Sequence, residues 1–358
     1  MPLPLYGTAT LMGLFTEPLN QPPPPFWLNF FPNTFNSNSD TILFDDVDVQ
    51  ERRLAPFVAP NVQGRYLRSR GFSTKSFKPA YLKPKHVVDP SRSRTRRPGE
   101  PLLGNLSQMD RHLQIVADNM RVENQVIQNR LEHMACSGVV NGYVDVIGDD
   151  YPTSRVDYGR DPSLTITLSG ASLWSQATAT PLIDIQTGRN LAFKLGRAPV
   201  SDLVMGTAAY EAFSQTNHPD VQLLLSNQRA GGNSSFNTTP FVDVNGLNAN
   251  VASMGTIQGI NTPAIRLWVY NDYYENSDWS RTDYIDPGLV IGIGGAFAAG
   301  GIKAYGAIQD HTSGFISTDV YPKMWEETGD PAAVFTMCQS APMLISMRPN
   351  NVFVMKVV

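Results

Sequence analysis

RYLRSRGFSTKSFKPAYLKPKHVVDPSRSRTRR, residues 65–97, holds 11 of the chain's 28 lysines and arginines against one acid, Asp89. The segment therefore carries a formal +10 and the other residues sum to −14, which together make the chain's net −4. A charge block of this kind reads as a solvated tail or a nucleic-acid arm. This one interleaves Tyr66, Leu67, Phe72, Phe77, Tyr81, Leu82 and Val87 among its cations, which a tail would not need. Pro79, Pro84 and Pro90 each fix φ, remove an amide donor and push the preceding residue into extended geometry. A long extended loop or hairpin is expected, with Gly71 at its turn. Two strands have no interior in which to bury apolar surface, so the loop needs a second surface. A nucleic acid, held through phosphates and base stacking, would serve. So would an acidic protein, including another copy of this chain, and charge alone does not separate the two.

The 358 residues are enough for two or more compact units. Charged residues make up 17%, against roughly 25% in soluble domains. That deficit suits an exterior covered by other subunits, or a β-rich monomer that faces water with Ser, Thr and Asn. The N-terminal MPLPLYGTATLMGLFTEPL has prolines where a secretory signal has positive charge, so no signal peptide is expected. The apolar run at 288–302 is broken by glycines and falls short of the roughly 18 residues that span a bilayer, so no membrane partner is expected. Cys136 and Cys338 stand far apart, with no zinc-ligand spacing, and read as two buried free thiols.

Residues 1–46 contain Pro22–Pro25, which favour polyproline II and forbid helix, and read as an arm. Its cluster Phe26, Trp27, Leu28, Phe30 and Phe31 is too apolar to stay exposed and should dock on the body, on a neighbour or on a second protein. Alternation in 41–60 suits two strands, with Asp45, Asp46 and Asp48 as ordinary outward residues rather than metal ligands. Next comes the clearest helix, 106–136. Its apolar positions Leu106, Met109, Leu113, Val116, Met120, Ile127, Leu131 and Met134 step mostly by three and four. Asn105 or Ser107 can cap it, and Gly138 follows its end. No second long periodic helix exists to pair with it, so it should lie across a sheet as a spine. Residues 139–168 read as a hairpin turning near Gly148, then a strand that begins the sheet. Helices are expected at 181–195, 207–215 and 220–227, and strands at 201–205, 265–270 and 289–293. Residues 303–358 should complete the sheet under the long helix.

Candidate chemistry is thin. Gly292 and Gly294 start a GxGxxG, but Phe297 replaces the third glycine and no useful helix follows, so a buried strand ending in a close turn is expected. The five histidines (86, 112, 133, 218 and 311) fall in no nucleophile or metal context. Asp272, Glu275, Asp278, Asp283 and Asp286 among Tyr273, Tyr274, Trp279 and Tyr284 suit a solvated rim better than a carbohydrate cleft. No catalytic residue, cofactor or metal is expected.

Three stretches, RSRGFSTKSFKPAYLKPKH (68–86), KAYGAIQD (303–310) and YPKMWEETGDPAAVFTMCQSAPMLI (321–345), resemble the hallmark segments of the lambda-type tailed-phage major capsid proteins, the major capsid protein E family. The order of arm, basic loop, long helix, hairpin, inserted lobe and closing strands is also similar. The resemblance implies an α+β chain of the Hong Kong 97-type capsid fold. Its parts would be an N-terminal arm (1–46), an extended loop (47–90), a peripheral domain (91–172 and 303–358) and an axial domain (173–302). It implies a non-enzymatic protein that forms hexamers and pentamers of an icosahedral virion shell around double-stranded DNA. Assembly would take place in the host cytoplasm with scaffold and portal proteins, and a decoration protein would replace covalent crosslinks. Arg65, Arg68, Arg70, Lys75, Lys78, Lys83 and Lys85 become the expected intersubunit contacts, and the cluster Phe26 to Phe31 a docking or decoration-protein contact. The alternative is a nucleic-acid-binding protein using 65–97.

Overall fold

The computed structural model describes residues 5–15, 25–39, 41–46, 54–55, 57–64, 66, 73–89, 92, 94, 107–148, 151–215, 235–236, 251–257, 264–295, 300–311, 313–329 and 332–358. The expected turn at Gly71 and the expected helix at 220–227 lie outside them.

The spine helix runs Gln108–Asn141, about 51 Å at 1.5 Å per residue. Its start is set by a capping box: Asp110 N donates to Ser107 Oγ (3.1 Å) and Ser107 N to Asp110 Oδ2 (3.2 Å). Of the apolar stripe, Val116, Met120, Ile127, Leu131 and Met134 are buried, whereas Met109 in the first turn is exposed. The helix continues past Gly138 to a left-handed Gly142 at φ 76°. Gly138 is instead a packing residue, because a Cβ there would lie 2.9 Å from the Tyr158 ring. Beyond the end, Arg160 donates to the carbonyls of Val139 (2.8 Å) and Val140 (2.7 Å), two acceptors the last turn leaves without intrahelical partners. Burial lowers the Arg160 guanidinium to about 10, so it remains charged at neutral pH. Replacing Arg160 with Ala should cost about 1–3 kcal/mol, visible as a lower Tm of the unassembled chain. Arg160→Lys should recover part of the loss.

Below the helix lie two three-stranded sheets. One joins Lys85–Val88, Ala333–Gln339 and Tyr321–Glu327; the other joins Asn33–Asn36, Gly301–Tyr305 and Pro342–Ser346. Cys338 Sγ meets Met120 Sδ at 3.7 Å in the helix–sheet seam, and both cysteines are free and buried. The hairpin Tyr143–Gly148/Tyr151–Asp157 is a ribbon of its own, and the strand expected after it, Thr165–Thr167, is an edge of the larger sheet.

A seven-stranded mixed sheet carries the second core. Its order is Thr165–Thr167, Val352–Lys356, Leu289–Gly294, Val200–Met205, Ile265–Tyr270, Val251–Ile257, Ser235–Phe236. Helices Pro181–Gly196 and Thr207–Gln215 pack on it around Trp174, Phe213 and Phe353. The sheet takes strands from both sides of the 173–302 span. In particular Val352–Lys356 leaves the strands under the spine and pairs antiparallel with Leu289–Gly294. Four of its five residues are buried, which a strand enclosed on both faces requires.

Candidate functional site

The extended loop leaves the body through strand Ile42–Asp46 and returns through Ser73–Phe77, paired antiparallel from Ile42↔Phe77 to Asp46↔Ser73. Only one strand forms among the described residues of 41–60; its partner comes from the far side of the loop. Beyond this ribbon, Leu54 is 92% exposed, Phe57 106%, Val62 62% and Tyr66 93%. Apolar side chains this bare on an irregular segment are not covered by their own chain. The loop is firmly rooted on its return. Leu82 and Ser340 exchange backbone hydrogen bonds (2.8 and 3.0 Å), and the Tyr81 hydroxyl donates to Ala307 O. Strand Lys85–Val88 then pairs with 334–337, setting His86 opposite Thr336.

Of the seven cations singled out above, Arg65, Arg68 and Arg70 lie outside the described residues. Lys75 sits in the ribbon opposite Phe44, and Lys78, Lys83 and Lys85 are exposed near the root. The Lys83 ammonium stands 5.1 Å from the Tyr81 ring and Lys85 5.4 Å from the Phe335 ring, so both also contact aromatic faces of their own chain.

Phe26, Trp27, Leu28, Phe30 and Phe31 are all buried within the protomer. Phe26 packs edge-on to Trp268 and lies 5.4 Å from Tyr270, centroid to centroid. Their anchor is Glu132 of the spine helix: Oε1 accepts from Phe26 N (2.8 Å) and Trp27 N (2.7 Å), and Oε2 from Leu28 N (3.0 Å). One turn of helix thus holds the arm through its backbone as well as its rings.

A second buried acid, Glu123, pins the spine to the loop root. Its Oε1 lies 3.0 Å from His86 Nδ1 and accepts from Thr336 Oγ1 at 2.9 Å. Burial raises its carboxyl above the ordinary value, while His86 and Thr336 pull it down. Glu123 was readable, since it stands three residues after Met120 and four before Ile127, in line with the apolar stripe. Glu132 gave no such signal, because its partners are backbone amides more than a hundred residues away.

The acidic stretch forms the hairpin Tyr273–Glu275/Arg281–Asp283. Asp278 accepts from Ser280 N and Oγ, Asp286 from Gly288 N and Lys356 Nζ, and Glu275 lies 3.6 Å from Arg281. These carboxylates hold turns and ion pairs, the arrangement of a solvated rim. His133 packs against Tyr274 and Tyr284, and His112 is buried beside Tyr6. Among the described residues no three His, Cys, Asp or Glu side chains group as metal ligands, and no helix is long and apolar enough to cross a membrane.

The long spine helix, the rooted extended loop and the two sheet-bearing cores together make an α+β chain of the Hong Kong 97-type capsid fold. The chain belongs to the family described as phage major capsid protein E, whose model matches residues 7–357. It is 30% identical over 364 residues to the major capsid protein of Enterobacteria phage P21, covering 99% of each chain. To that of Escherichia phage lambda it is 29% identical over 357 residues, covering 97% of each. A crystal structure of a prophage capsid protein from E. coli CFT073 superposes with a TM-score of 0.74 at 22% identity, over 99% of both chains, and shows the same fold. The chain is therefore a structural protein of the phage virion. The reading of 65–97 as the arm of a nucleic-acid-binding protein is not supported, because the family match covers the whole chain rather than the loop.

Proposed function

We propose that copies of this chain tile as hexamers and pentamers of an icosahedral shell around double-stranded DNA, each laying its extended loop (47–90) over the next copy. The observation that carries this reading is the exposure of Leu54, Phe57, Val62 and Tyr66, surface that a heterologous contact repeated by symmetry would cover. The loop's cations, Arg65, Arg68, Arg70, Lys75, Lys78, Lys83 and Lys85, meet acidic groups on the neighbour. The arm (1–46), the peripheral part (91–172 and 303–358) and the axial part (173–302) are the working divisions of the tile. A net acidic body suits a wall that releases its DNA, since inward cations would bind phosphate with steep salt dependence.

The family resemblance supports further partners: scaffold and portal proteins during assembly in the host cytoplasm, and a decoration protein on the finished shell. It supports no enzymatic activity. Sedimentation of the purified chain tests the central reading. Megadalton particles are the expected result, and an inert monomer, or a small species that shifts only with added DNA, would overturn it.

A further inference from the structure

We propose that the hairpin Tyr273–Glu275/Arg281–Asp283, with Trp279 at its tip, is the seat on which a second copy of this chain lays its basic stretch 65–97. The inference rests on the loop-over-neighbour reading above and names the surface that receives the loop.

The hairpin is a two-stranded ribbon of its own, bolted to the spine helix at its base. The Tyr274 and Tyr284 rings pack against each other with centroids 5.3 Å apart, and against His133 at 5.0 and 6.4 Å. Cys136 Sγ donates to Tyr284 O at 3.2 Å, and Tyr284 N to Asp272 O at 3.1 Å. The tip is equally fixed. Trp279 N donates to Asn276 O (3.0 Å), Asn276 N to Ser280 O (2.9 Å), and the Asn276 amide side chain to Ser280 Oγ and Thr282 Oγ1. That turn holds Trp279 in left-handed backbone at φ 63° and leaves it 82% exposed. An apolar ring system this large, pre-ordered and bare, is the kind of side chain that carries the centre of a protein contact. Tyr273, 41% exposed, adds a second ring on the same ribbon.

Charge selects the occupant. Residues 272–283 hold Asp272, Glu275, Asp278 and Asp283 against Arg281, a net −3, and the stretch 65–97 is +10. Ser280 N and Oγ donate to Asp278, which orients that carboxylate and leaves its charge in place. A phosphate backbone would be repelled from such a surface, whereas a cationic peptide with rings among its cations meets both of its features. A Trp face attracts guanidinium and ammonium groups. The chain already makes such pairs within itself, Arg281 at 4.6 Å from the Tyr273 ring and Arg155 at 4.0 Å from the Tyr143 ring. The loop brings Arg65, Arg68 and Arg70 close in sequence to Tyr66, itself 93% exposed.

A carbodiimide joins a carboxylate to an amine that touches it. In shells assembled from unlabelled and isotope-labelled wild-type chains, mixed-label peptides should link Lys75, Lys78, Lys83 or Lys85 to a carboxylate of 272–283, and the unassembled chain should give none. Links from these lysines to other surfaces of a neighbour alone, or none between copies, would overturn the proposal. Trp279→Gly supplies the second reading. Glycine adopts left-handed backbone without penalty, so the Tm of the unassembled chain should hold or rise. The critical concentration for assembly should rise at least roughly tenfold. A lower Tm with assembly spared would mark a role confined to the hairpin's own stability and overturn the seat. So would an unchanged critical concentration while Phe57→Asp stays unassembled, which leaves the loop-over-neighbour reading standing; both variants assembling as wild type would remove that reading as well. The wild-type links decide the matter if the glycine variant misfolds.

Discussion

With Arg68 and Arg70 both reversed to Glu, the protomer is expected to fold and no shells to form. Both arginines stand in the basic stretch between Tyr66 and strand Ser73–Phe77, and an arginine is rarely a core residue. The stability of the single chain should therefore hardly change. Assembly is different, because every copy repeats the contact. An exposed ion pair contributes up to about 1 kcal/mol, and reversal replaces attraction by repulsion at two positions. Some 2 kcal/mol lost per contact weakens that contact roughly thirtyfold, and each copy both gives and receives a loop. Negative-stain microscopy of the purified variant beside a circular-dichroism melt separates the two effects. Normal particles would remove the charge contact from the account.

Phe57→Asp tests the apolar half of the same surface. Burying a Phe ring contributes about 1.5–3 kcal/mol, and in the isolated protomer Phe57 contacts water on all sides. It too should leave the fold intact and stop assembly. The salt dependence distinguishes the two variants. Added salt screens exposed charges, so it should partly rescue the arginine variant and leave Phe57→Asp unassembled.

Local signals carried the spine helix well, and long-range ones were silent. The step of three and four residues and the Ser107 cap mark the helix start, whereas Gly138 reads as an end because nothing local announces that Tyr158 will pack against it. Val352–Lys356 was legible as a strand but not as a member of the seven-stranded sheet. An all-apolar run has no polar face to say which sheet it enters. The aromatic cluster of the arm declared that it must be covered, but its actual cover, Tyr270, Trp268 and Glu132, lies more than a hundred residues away. Basic charge marked the loop at once, while Leu54 and Phe57 looked like strand residues until their exposure was seen. Sequence alternation records a periodicity; which side faces out is decided by the rest of the fold.

The glycines at 292 and 294 make the same point, and a single methyl at Gly292 should carry a large stability cost. The Phe353 ring, fully buried, is clasped between two glycines. A Cβ at Gly292 would lie 2.0 Å from its Cε1, and a Cβ at Gly188 in helix Pro181–Gly196 would lie 2.7 Å from its Cε2. The ring has no direction in which to retreat. Of the two glycines that resemble half of a nucleotide fingerprint, Gly292 lets strand Leu289–Gly294 approach a phenylalanine on strand Val352–Lys356, while Gly294 faces Asn351 and the Pro199 carbonyl. Overpacking usually costs about 1–3 kcal/mol and occasionally more; with the opposite edge blocked, Gly292→Ala belongs at or above the top of that range. Phe353→Ala alone, which empties the site, should cost about 3–5 kcal/mol. The two should not add. Once the ring is gone the alanine methyl has room, so Gly292→Ala should cost at least about 1 kcal/mol less in the Phe353→Ala background than in the wild type. Urea midpoints of the four unassembled proteins close this cycle. Additive losses would mean that the strand, rather than the ring, is what the Gly292 position cannot tolerate.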